Sequence, residues 1–108
     1  MKFTDDQIAD IGDEIIRVLK TVYDPEIPVD IYELGLIYDV QISDDADIKI
    51  IMTLTTPNCP VAETLPQEVK DKVKAVENVN EVDLELTFEP SWNKDMMSEE
   101  AKFELGML

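Results

Sequence analysis

Residues 82–89 read Val82-Asp83-Leu84-Glu85-Leu86-Thr87-Phe88-Glu89, an alternation of apolar and polar side chains that suits a strand with one buried and one wet face. The segment before it follows another period. Val61, Leu65, Val69, Val73 and Val76 fall on one helical stripe, while Lys70, Asp71, Lys72 and Lys74 fall largely on the other side, which predicts an amphipathic helix from about Cys59-Pro60 onward. Pro66 lies beyond its first turn, where a missing N–H and a clash with the carbonyl of residue 62 predict a kink or a short break. Further upstream, Leu36, Tyr38, Val40 and Ile42 alternate, then Ile48, Ile50, Met52 and Leu54, with Ser43-Asp44-Asp45-Ala46-Asp47 between them. This predicts an antiparallel hairpin.

The N-terminal segment opens on Thr4-Asp5-Asp6-Gln7, a capping box, with Phe3 and Ile8 as a staple. Ile8, Ile11, Ile15, Val18 or Leu19, and Val22 then repeat at three and four residues, so a helix runs to about Val22 and stops before Asp24-Pro25, where the residue before proline leaves the α region. From Asp24 to Gly35 a loop is expected, with one helical turn at 30–34 that Gly35 ends. Each element has one apolar side, and a two-layer α+β sandwich in the order α-β-β-α-β, with a small three-stranded mixed sheet, buries all of them. The expected core is Ile8, Ile11, Ile15, Leu19, Tyr38, Val40, Ile50, Met52, Leu54, Leu65, Val69, Val73, Leu84, Leu86 and Phe88. We expect a single domain over 1–108 whose tail, from about residue 90, carries Trp92, Met96, Met97, Phe103, Leu105, Met107 and Leu108. Such a tail is too apolar to stay uncovered. Either its own domain covers it, one docked helix burying Phe103 and Leu105, or a second chain does.

With 9 Lys+Arg against 25 Asp+Glu, the 108-residue chain carries a net charge of −16. It has no basic run to bind nucleic acid phosphates or an anionic membrane. At 44% hydrophobic residues it can nonetheless build a core. No stretch is long and apolar enough to span a bilayer, and the first residues lack the layout of a signal peptide, so a cytoplasmic location is expected. The absence of histidine excludes Ser-His-Asp and Cys-His catalysis and His-rich zinc sites within the chain. A single cysteine, Cys59, excludes an internal disulfide.

Chemistry concentrates in two loops. In Thr56-Pro57-Asn58-Cys59-Pro60, Pro60 suits the first helical position and makes Cys59 the expected cap. There the helix dipole favours thiolate, whereas the chain's negative charge and Glu63 oppose it. A small buried hydrophobe is the other reading of this cysteine, and the residues leave both open. In Asp24-Pro25-Glu26, Asp24 suits a turn held by its carboxylate on backbone, a role that can coexist with function.

Four stretches together carry a resemblance: Asp24 to Ile31 (DPEIPVDI), Leu34 to Tyr38 (LGLIY), Thr53 to Pro60 (TLTTPNCP), and Glu89 to Trp92 (EPSW) ahead of Met97-Ser98. In that order the chain, from about residue 5 to its end, resembles the SufT/PaaD-like family of iron–sulfur assembly accessory domains, stand-alone SufT-type proteins in particular. The resemblance implies a fold similar to the NifU C-terminal domain. It also implies that Cys59 is the functional cysteine, a metal and cluster ligand, with Asp24 and Glu26 as an acidic signature and Thr56 and Asn58 in the same site. Asp30 stands where the family more usually has Ser or Asn, and Ser91 where a second proline is common.

One cysteine cannot hold an iron–sulfur centre, which takes four ligands, so any transient cluster or iron would be shared with another chain: a homodimer, an assembly protein or a client apoprotein. The leading reading is a non-enzymatic maturation factor, assembling or transferring clusters through Cys59 and the acidic loop. A metal-free adaptor for maturation or oxygenase complexes is the alternative. A cysteine enzyme with Asp24 or Glu26 as base ranks last, because an ordinary carboxylate is a weak base for a thiol. The two loops are expected side by side, with Cys59 within about 12 Å of Asp24 or Glu26, the reach of two side chains and a bridging water.

Overall fold

The structure, a computed structural model, describes residues 2–24, 27–55 and 59–106, with the side chains of residues 59–63 outside that description. Helix α1 spans Asp5–Leu19, strands β1 and β2 span Ile37–Ile42 and Ile48–Met52, helix α2 spans Cys59–Lys74, and strand β3 spans Val82–Leu86. A 3-10 turn at Lys94–Met96 and a short helix α3 at Glu99–Glu104 follow. The sheet order is β1-β2-β3, antiparallel between β1 and β2 and parallel between β2 and β3. The expected mixed three-stranded α+β architecture is the one observed.

Local chemistry sets the start of α1 and the hairpin turn. The Thr4 hydroxyl accepts from the Gln7 N–H at 3.2 Å and the Gln7 side chain accepts from the Thr4 N–H at 2.8 Å, completing the capping box. The hairpin turn closes through Ser43 N–H to the Asp47 carbonyl at 3.0 Å and Ala46 N–H to the Ser43 carbonyl at 2.9 Å. Helix α2 is continuous through Pro66, so of the kink or short break expected there, no break occurs. Leu65, Val69 and Val73 are all buried, and their shared stripe holds the helix against the domain on both sides of the proline.

Ile48, Ile50, Met52 and Leu54 form the centre of the core, facing Ile11, Ile15 and Leu19 of α1 and the α2 stripe in one buried cluster. On the other face, Lys49 pairs with Asp83 and with Gln41, and Ile51 with Glu85 and Asp39. Six residues of the expected core are less buried than expected. Phe88 is 39% exposed, while Leu84, Leu86, Val40 and Ile8 only partly pack against the core and Tyr38 is half-buried. Tyr38 and Val40 on β1 and Leu84 and Leu86 on β3 lie on edge strands, each with a neighbour on one side only, while Phe88 lies beyond the end of β3 and Ile8 at the start of α1. Core volume comes instead from the α1–β1 connection, where Val22, Val29, Ile31, Leu34 and Leu36 are buried.

The tail folds back on its own domain. Met97 and Ala101 are buried, and the Ser98 N–H donates to the Glu33 carbonyl at 2.8 Å. Phe103 is 73% exposed, so α3 docks through its small residue and not through the aromatic one as expected. Ala101 permits close approach, whereas Phe103 stands off the docked side. Met107 and Leu108 lie outside the described residues.

Candidate functional site

The chain leaving α1 turns back on itself. The Ile31 N–H donates to the Val22 carbonyl at 2.8 Å, the Asp24 N–H to the Val29 carbonyl at 3.3 Å, and an isolated antiparallel bridge joins Tyr23 to Asp30. This closes a loop at whose neck Asp24 is 4% exposed. Its Oδ1 accepts from the Ile27 N–H at 3.0 Å, the carboxylate-held turn that an Asp-Pro sequence favours. The side chain therefore fixes the loop whatever further role it has. Pro25 and Glu26 lie outside the described residues.

Beyond the bridge, residues 30–36 form one helical turn. The Asp30 Oδ2 accepts from the Glu33 N–H at 3.0 Å. Burial raises the Asp30 carboxyl above its ordinary value of 3.8, and the bond from the Glu33 backbone opposes that rise in part. The turn ends with Gly35 N–H on the Tyr32 carbonyl and Leu36 N–H on the Ile31 carbonyl, both 3.1 Å, around Gly35 at φ +81°. That is a Schellman closure, in which glycine avoids the penalty of a left-handed residue. Gly35 serves a second purpose: a Cβ there would stand 2.3 Å from the Met96 carbonyl oxygen. The tail crosses the turn too closely for any side chain.

Leu36 then joins the first loop to the second. Its carbonyl accepts from the Thr53 N–H at 2.8 Å, so the end of the 24–36 segment and the start of the 53–59 segment are adjacent in space. Thr53 is fully buried, and its hydroxyl has no hydrogen-bond partner among the described residues. Sequence reasoning missed this residue because alternation along β2 places it with outward-facing Lys49 and Ile51. No local signal marks it as covered.

Helix α2 is assigned from Cys59 itself, one position earlier than a cap reading implies, with Pro60 following inside the first turn. The Cys59 side chain, Thr56 and Asn58 lie outside the described residues, and with them the distances from the thiol to Asp24 and Glu26. Among the described residues no three of His, Cys, Asp and Glu converge to hold a metal ion. The chain has one cysteine, and an iron–sulfur centre takes four thiolate-type ligands. This chain alone therefore does not provide a complete cluster site, and a cluster would reach it as cargo with ligands from elsewhere.

Comparison with known proteins agrees with this architecture. The chain is 56% identical over 96 residues to an Fe-S protein maturation auxiliary factor of Porphyromonas gingivalis, covering 89% of this chain and 91% of that one. It is 39% identical over 97 residues to the Fe-S protein maturation auxiliary factor YitW of Bacillus subtilis (90% and 95% covered). With the auxiliary factor SufT of Staphylococcus aureus it is 36% identical over 86 residues (80% and 98% covered). Among solved structures, the domain of unknown function DUF59 from Bacillus anthracis superposes with a TM-score of 0.86 at 34% identity, over 97% of this chain and 100% of that one. A family described as iron–sulfur cluster assembly protein matches residues 12–84, and the chain belongs to that family.

Proposed function

We propose that this chain is a non-enzymatic auxiliary factor in the maturation of iron–sulfur proteins, acting in the cytoplasm as one unit over residues 1–108. The observation that carries the reading is its likeness, over nearly the whole of both chains, to the P. gingivalis maturation auxiliary factor. Iron or an iron–sulfur cluster is its cargo. Cys59, at the first position of α2, supplies one soft ligand, and an assembly protein, a client or a second copy supplies the rest. The positive end of the α2 dipole favours the thiolate needed for that contact. Asp24 closes the loop in whose sequence Glu26 falls, and the Leu36–Thr53 bond, at the far end of the 24–36 segment, supports a reading in which that loop lies near the segment leading to Cys59. Thr56 and Asn58 belong to the same segment. In this reading the two carboxylates, Thr56 and Asn58 shape and polarise the place where a partner presents its ligands.

The test compares wild type with Cys59→Ser in anaerobic iron and sulfide titration and in transfer of a preformed cluster to an apoprotein. Loss of cluster-associated visible absorption and of transfer in the variant is the expected result. If Cys59→Ser takes up iron and sulfide and supports transfer as fast as wild type, the cysteine is no ligand; if neither form takes up any, the metal-free adaptor is the correct description.

A further inference from the structure

We infer that the groove between α1 and the connection that follows α2, at residues 76–78, is a docking site for a Lys- or Arg-bearing segment of a partner protein. This surface is independent of the Cys59 reading above. The groove has a volume of about 430 Å³, room for a few side chains and not for a folded domain, and is lined by Asp10, Ile11, Glu14, Arg17, Val76 and Glu77 among others. Ile11, 4% exposed, and half-buried Val76 give it an apolar floor. Its rim is acidic. Arg17 is committed to Glu14, while neither Asp10 nor Glu77 has a cationic partner among the described residues.

The rim works against the helix that bears it. Asp10 stands four residues from both Asp6 and Glu14 and three from Asp13, spacings at which like charges face each other and destabilise a helix. A cationic segment laid along α1 relieves that repulsion. A single metal ion does not fit, because these carboxylates do not converge with a third ligand. A second copy of this chain is a poor match for this rim, since with 9 Lys+Arg against 25 Asp+Glu it offers no basic run to lay along it. What remains is a segment with one apolar side chain for the Ile11–Val76 floor and basic side chains to either side for Asp10 and Glu77.

The test titrates the full-length, isotope-labelled protein with a short synthetic peptide in which leucine is flanked by lysines, following amide shifts and affinity. Shifts should concentrate on residues 7–17 and 76–78. The double variant Asp10→Lys/Glu77→Lys should bind about tenfold more weakly, the scale expected for reversing two exposed charge contacts. Asp10→Asn/Glu77→Gln should also bind more weakly while melting no lower than wild type, which separates lost binding from lost folding. Asp39→Lys/Asp83→Lys, on the outer face of the sheet, should change the affinity less than twofold. Cys59→Ser should leave it unchanged. Equal weakening by the groove and sheet pairs, or shifts spread over the whole surface, would reduce the effect to the chain's general charge and overturn the proposal.

Discussion

The indole N–H of Trp92 donates to the carbonyl of Leu34 at 2.7 Å, across 58 positions of sequence. Tyr38 makes a parallel link, its hydroxyl donating to the Pro90 carbonyl at 2.7 Å. Together they strap the tail over the turn that leads from Asp30 into β1. The turn beside the candidate site is thus held from its own backbone and from the far end of the chain.

Trp92→Phe keeps most of the ring and removes the donor. The Leu34 carbonyl, in a buried residue, is left without that bond, and the expected loss is about 1–3 kcal/mol in urea unfolding. An unchanged unfolding midpoint would mean that the bond contributes nothing and the strap is held by packing alone.

Gly35→Ala and Gly106→Ala separate two effects at positive φ. Gly106, at φ +72°, has nothing within 4 Å of an added Cβ, so its variant should lose only the left-handed penalty of about 1–2 kcal/mol. Gly35→Ala should lose clearly more, because the Met96 backbone must also move. Thermal melts of the two side by side decide it: equal losses would show that the tail yields without resistance.

Ile50 is fully buried at the centre of β2, and Ile50→Ala should cost about 2–5 kcal/mol. Leu84→Ala on the edge strand should cost less, since Leu84 already keeps part of its surface in water. A larger loss at Leu84 than at Ile50 would place the core on the wrong strand.

Asp30 has a pH signature. Its carboxyl is raised above 3.8, chiefly by burial, so the folded chain holds this proton more tightly than the unfolded one. Ionisation therefore weakens the fold as pH rises from 3.8 through the raised value. Asp30→Asn keeps an acceptor for the Glu33 N–H and removes the charge. The variant should be more stable than wild type at neutral pH, with the difference shrinking as pH falls toward 3.8. Urea unfolding at several pH values checks this, and a gain that grows in acid would reverse the assignment.

Much of the fold was legible locally. The period-two run of β2, the helical stripes of α1 and α2, the Thr4–Gln7 box and the Gly35 stop depend on residues a few positions apart, where sequence spacing and spatial neighbourhood coincide. The Asp24 turn and the start of α2 at Cys59-Pro60 were legible for the same reason. Burial is a different kind of quantity, set by what covers a residue from elsewhere in the chain. Leu84 and Leu86 alternate as well as Ile48 and Ile50 do, but an edge strand lacks a neighbour on one side. Thr53 lies in outward register and is covered all the same, and Phe103, the larger apolar residue of α3, is left out while Ala101 goes in. Sequence alone determined the elements, their order and the two loops that carry the candidate chemistry. Only the tertiary structure decided that the tail closes over residues 30–36, because that contact joins segments about sixty residues apart, whose meeting no local periodicity encodes.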